Sequence, residues 1–115
     1  MNSLRNNVQL IGNLGQNPEV FNTEKGHKVA RFSIAAQESY TDKNGKRVIN
    51  TQWFNVVAWE GMAGFAEKFL TKGRQVAIAG KLNNKSWTDK NGNKRNTIEI
   101  VATDILMLGS PRDNN

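Results

Sequence analysis

The chain has 115 residues, with 16 Lys and Arg against 10 Asp and Glu, a formal net charge of +6 and no cysteine. That length supports one compact domain. The missing cysteine excludes disulfides, thiolate metal sites and thiol nucleophiles, and His27, the only histidine, leaves no second imidazole for a catalytic or metal constellation.

The N-terminus (residues 1–7) is polar and lacks the apolar segment of a secretory signal, so a cytoplasmic location is expected. Residues 7–15 alternate, with Val8, Leu10, Gly12 and Leu14 on one face and Asn7, Gln9, Ile11 and Asn13 on the other, which predicts a half-buried strand. Gly12 and Gly15 suit sharp bending or close backbone approach in a small barrel. Asn17-Pro18 marks a turn, and residues 19–22 read as a short strand.

A second long strand follows over residues 28–38, its inward set being Ala30, Phe32, Ile34 and Ala36. Residues 47–59 form a third, rich in β-branched and aromatic types. Gln52, Phe54, Val56 and Ala58 make its apolar side. The other side carries Thr51, Trp53, Asn55, Val57 and Trp59. Residues 61–72 give the one helix, since Met62, Phe65, Ala66 and Phe69 share a face, with Lys72 in the last turn and Gly73 as the stop. Residues 75–82 and 97–108 are the fourth and fifth principal strands, and residues 110–115 are expected to be a short disordered tail.

A repeated phrase connects these strands. Ser39-Tyr40-Thr41-Asp42-Lys43-Asn44-Gly45-Lys46-Arg47 returns, with one extra Asn, as Ser86-Trp87-Thr88-Asp89-Lys90-Asn91-Gly92-Asn93-Lys94-Arg95. Asn-Gly supplies the positive φ angles of tight hairpin turns, so each copy predicts a β-hairpin tip bearing an aromatic ring and cations. Five principal strands, a helix between the third and fourth and an extended hairpin between the fourth and fifth match the all-β OB-fold, a five-stranded Greek-key barrel, over residues 1–109.

Aromatic faces stack bases and cations hold phosphates, which makes single-stranded nucleic acid the first partner to consider. Trp53 and Trp59 lie an even number of residues apart and leave their strand on the same face, roughly 20 Å apart at about 3.3 Å per residue. Trp87 and Tyr40 add two rings. Lys43, Lys46, Arg47, Lys85, Lys90, Lys94 and Arg95 are the phosphate-contact candidates. No catalytic constellation, P-loop, metal site or cofactor motif is present, so no enzyme activity and no cofactor are expected. No long apolar run or basic amphipathic helix is present either, which removes a membrane as partner. An RNA-binding module, or a primosome-like assembly module that uses its aromatic face for protein contacts, remain as alternatives.

Residues 10–20 (LIGNLGQNPEV), 51–59 (TQWFNVVAW), 69–76 (FLTKGRQV), 85–89 (KSWTD) and 107–109 (MLG) resemble, in the same order, segments of the bacterial single-stranded DNA-binding proteins of the replication type. The resemblance implies an OB-fold that assembles as a homotetramer and covers single-stranded DNA with little sequence preference in replication, recombination and repair. It implies that Trp53 and Trp87 stack bases, that Tyr40 stands where tryptophan is common and Trp59 where phenylalanine is common, and that Phe54 replaces a common histidine. Members of that family usually carry a linker and an acidic, apolar-ended tip that recruits other proteins. After Asp104 this sequence has Asp113 as its one acidic residue, so tail-dependent partners are not expected to be recruited.

Overall fold

A computed structural model of the chain describes residues 5–109. In chain order the elements are β1 (Val8–Leu14), β2 (Glu19–Asn22), β3 (Lys28–Thr41), β4 (Arg47–Trp59), α1 (Gly61–Phe69), β5 (Gln75–Thr88) and β6 (Lys94–Met107). The alternation read in residues 7–15 becomes β1, whose Gly12 and Leu14 are buried and whose Val8 and Leu10 pack against the core, while Ile11 is exposed. β1 pairs antiparallel with β5 from Val8↔Gly80 to Asn13↔Gln75, then switches to β3 at Asn13↔Ala35 and Leu14↔Ile34. That switch closes the ring β1-β5-β6-β4-β3, with β2 added outside β3. The closed five-stranded barrel with one helix is the OB-fold expected from the strand order. Closure brings β1 hard against β3: a Cβ on Gly12 would sit 2.9 Å from the Ala35 carbonyl carbon and closer still to its oxygen.

The barrel interior is filled by Ala30, Phe32, Ile34, Val56, Ala58, Val76, Ile78 and Ile100, the even-numbered face of each strand as the pleat requires. Helix α1 closes one end through Ala63 and Ala66, both fully buried, with Met62 and Phe65 packed at the margin. Phe69, expected on the same buried face, is exposed and lies against Phe65 instead, ring centroids 5.1 Å apart. Small alanines let the helix sit close on the barrel, which pushes the larger rings to the rim.

The helix also ends earlier than its sequence suggests. Leu70 already has extended angles (φ −91°, ψ 133°), its amide capping the Ala66 carbonyl, because its side chain is drawn into the core. Gly73 (φ 88°) serves the following turn, where Arg74 N–H donates to Thr71 O at 3.1 Å and Gly73 N–H donates to Leu14 O at 2.8 Å.

Two antiparallel ribbons run outward from the barrel, β3–β4 to the pair Thr41↔Arg47 and β5–β6 to Thr88↔Lys94. Their tips are built alike. Asp42 Oδ1 accepts from the amides of Asn44 and Lys46, and Asp89 Oδ1 from those of Asn91 and Asn93, all at 2.9 Å. Only the glycines, Gly45 (φ 80°) and Gly92 (φ 82°), take positive φ at these tips. The repeat therefore folds as a turn followed by a glycine bulge, in which the aspartate rather than the asparagine ties the loop. Asn93 occupies the place of Lys46, so the extra residue of the second copy falls in the strand.

The expected tail of residues 110–115, and the acidic tip expected to be missing from it, lie outside the described residues. No helix among the described residues is long and apolar enough to cross a membrane.

Candidate nucleic-acid interface

The strand register decides which candidate residues share a face. In the unbroken β3–β4 ladder Trp59 stands opposite Val29, Val57 opposite Arg31, Asn55 opposite Ser33 and Trp53 opposite Ala35. All lie on the odd-numbered face, which points away from the barrel interior; Val29 and Val57 are nevertheless buried on it. β6 joins β4 in parallel at Val57↔Val101, and β5 joins β6 through Asn83↔Glu99, Lys85↔Thr97 and Trp87↔Arg95. The odd-numbered face thus continues across β3, β4, β6 and β5 as one surface bearing Arg31, Trp53, Asn55, Trp59, Lys85, Trp87, Arg95, Thr97 and Glu99.

All three tryptophans open to solvent on this surface: Trp53 is 62% exposed, Trp87 50% and Trp59 42%. Large rings left bare on a polar, basic face provide stacking area that the core does not need. Trp53 owes its position to Gly15, since a Cβ there would come within 2.9 Å of the indole Cη2 and nearer to Cζ3. The sequence suggests that Gly15 serves sharp bending or close backbone approach. It is also the clearance for a ring.

The other predicted site residues are divided between the two sides of the ribbons and their tips. Tyr40 is exposed, but it pairs with Val48 on the even-numbered side of its ribbon, opposite to Trp53. Lys94, opposite Thr88, likewise leaves the second ribbon on the side away from Trp87. Arg47 is on the Trp53 side, its Nη2 donating to Ser39 Oγ at 3.3 Å. Lys43, Lys46 and Lys90 sit in the exposed tips. Arg95 is on the Trp87 side, with its Nε donating to Asp89 Oδ2 at 2.9 Å. The Asn93 backbone amide, then the Arg95 guanidinium and the Asn91 amide, hold the Asp89 carboxyl below the usual carboxylate range.

Sequence reasoning missed the middle of the surface. Glu99 is only 5% exposed, yet its Oε2 accepts from Arg31 Nη1 at 2.9 Å and its Oε1 lies 3.8 Å from Lys85 Nζ. Two hollows meet at this cluster, one running to Ser33 and Asn55 and the other to Ser86 and Trp87. Arg31 could have been found by parity, since it falls on the odd-numbered side of a strand whose even residues from Ala30 to Ala36 are all apolar. The burial of Glu99 carries no such signal.

His27 is half-exposed. It stands edge-on to Trp59, ring centroids 6.5 Å apart, with Nδ1 3.4 Å from Glu60 Oε2. Glu60 takes a positive φ (52°, with ψ −118°) at the start of α1. Its Oε1 accepts from the Lys28 amide at 2.9 Å, and this bond first, then His27, lowers its carboxyl below the ordinary value.

Comparison with known proteins places the chain among relatives of one kind. A Xylella fastidiosa protein named single-stranded DNA-binding protein 1 is 41% identical over 111 residues, covering 96% of this chain and 82% of that protein. Its namesake in Chlorobaculum tepidum is 43% identical over 106 residues, covering 91% of this chain and 65% of its own. The Neisseria meningitidis single-stranded DNA-binding protein is 37% identical over 110 residues, covering 96% and 63%. The chain therefore spans less than two thirds of the length of the latter two relatives. A solved structure described as the Plasmodium falciparum SSB complex with ssDNA superposes with a TM-score of 0.85 at 30% identity, covering 95% of this chain and 100% of that one. Residues 5–108 match the single-strand binding protein family, and the chain belongs to that family.

Proposed function

We propose that this protein binds single-stranded DNA without sequence preference, catalyses no reaction, and covers exposed strands during replication, recombination and repair. The observation that carries the reading is the single odd-numbered face of the barrel, on which three exposed tryptophans stand beside Arg31, Arg47, Lys85 and Arg95. Every base offers a π face, so stacking on such rings is worth roughly 1–3 kcal/mol per base whatever the sequence. The cations supply the salt-dependent part. Equal affinity for several mixed-sequence oligonucleotides of one length, each displacing oligo-dT, supports the reading. Strong preference for one sequence contradicts it.

The protein acts as a homotetramer in the cytoplasm. One barrel presents few platforms, and several copies on one strand raise the effective concentration of each. An apolar row supports assembly: Ile11, Ala77 and Leu106 are cross-strand neighbours on the outer face of β1, β5 and β6, with Ile11 and Leu106 exposed. An apolar face of this kind favours association. Sedimentation is expected to give a tetramer. Ile11→Lys combined with Leu106→Lys dissociates it, and a wild-type monomer with full DNA affinity would contradict the assignment.

A further inference from the structure

A groove that receives a polyanion is a poor place for a buried carboxylate, yet Glu99 lies on the floor of this one. Desolvating a carboxylate costs several kcal/mol unless cations compensate. Arg31 does so at 2.9 Å and Lys85 more loosely at 3.8 Å. Arg31 keeps a 42% exposed side chain, and a guanidinium that gives one Nη1 hydrogen to Glu99 retains further donors for a second anion. Both hollows that flank the tryptophan surface, about 260 and 320 Å³, are lined by Arg31 and Glu99 together, and the first also by Glu19.

We propose that Arg31 contacts the phosphodiester of bound single-stranded DNA and that Glu99 is its positioning residue, an internal counter-charge that orients the guanidinium and limits how tightly this groove holds the strand. The proposal rests on the reading of the face as a DNA interface. Glu99 fixes the guanidinium before the strand arrives, so less side-chain freedom is lost on binding. Its charge meanwhile opposes the phosphates, so the same residue that aligns the contact weakens it. Lys85, shared with Glu99, is then a weaker phosphate ligand than its sequence position beside Trp87 suggests.

Glu99→Gln keeps an oxygen to accept from Arg31 and removes the opposing charge. It is expected to tighten oligo-dT binding about three- to tenfold at low salt, and to match wild type at high salt. Arg31→Met is expected to weaken binding and to reduce the log-log salt slope by about 0.7, the share of one phosphate on a single strand. A merely structural ion pair would change melting temperature and leave that slope alone. Unchanged slopes in both variants overturn the proposal.

Either variant could fail to fold, so the unmodified protein supplies the second measurement. Arginine modification by a dicarbonyl reagent, mapped by mass spectrometry with and without oligo-dT, is expected to show Arg31 protected by the strand. The anisotropy of labelled oligo-dT in the same sample reports whether DNA is bound. Binding with Arg31 equally reactive in both samples overturns the Arg31 assignment alone. Absence of binding, read by that anisotropy, overturns the DNA-binding reading and this proposal with it.

Discussion

The Trp53 indole lies across the Cα of Gly15, and the space it occupies is the space a side chain at residue 15 would need. A stacking platform is thus set by a residue that touches no ligand itself. Gly15→Ala is expected to leave the barrel folded, because the obstacle is an exposed ring that can swing away. Displaced, that ring should lose oligo-dT affinity by an amount approaching that of Trp53→Ala, roughly 1–3 kcal/mol. Fluorescence titration of the two variants checks this, and wild-type affinity in Gly15→Ala would show that the ring's position is not critical.

Gly80 behaves in the opposite way. A Cβ there would fall 3.0 Å from the Val101 carbonyl carbon and closer to its oxygen, and a backbone within the β5–β6 ladder cannot move aside. Gly80→Ala should therefore destabilise the fold by about 1–3 kcal/mol, the usual range for overpacking. Thermal or denaturant melting reads it directly.

The fold was largely legible in the sequence because alternation over residues 7–15, 28–38 and 47–59 forces one face inward, and the order of strands, helix and long hairpin matches a closed barrel. What escaped was decided between segments. The helix stop at Leu70 follows from a tertiary contact of that side chain, whereas Gly73 advertises a stop and serves the next turn. The exposure of Trp53, Trp59 and Trp87 on one face is legible because their odd-numbered positions lie opposite the apolar side of the strand. Tyr40 and Lys94 were grouped with them by proximity to the Asn-Gly tips, although the register turns both to the other side of their ribbons. Glu99 was invisible because no local pattern distinguishes a buried carboxylate from a solvated one until its partners on β3 and β5 are known.

That register yields a prediction for the cations of the second ribbon. Arg95 shares a side with Trp87 and Lys94 does not. Arg95→Gln should flatten the salt dependence of oligo-dT binding by up to about 0.7 in log-log slope, and Lys94→Gln by less. Equal effects would mean that the strand wraps both sides of the ribbon.

The tip of the same ribbon should respond to acid. Asp89 has its carboxyl lowered below its ordinary value of 3.8 by the Asn93 amide, then Arg95 and Asn91. A depressed folded-state value means that the contribution is fully present above the ordinary value and is lost only as pH falls through the lower, folded one. The Asn91 and Asn93 amide resonances should therefore stay constant down to about pH 4 and shift together below it. Movement of those amides between pH 5 and 7 would show that the aspartate does not hold the tip.

On the proposed function, a surface of exposed indoles and cations stacks and holds unpaired bases. Tryptophan emission during titration with oligo-dT, with duplex DNA and single-stranded RNA as competitors, tests it most directly. The expected result is saturable quenching by oligo-dT that duplex of equal length fails to reverse and that Trp53→Ala and Trp87→Ala each diminish. Unquenched emission with the strand demonstrably bound, or full displacement by duplex, would contradict the claim.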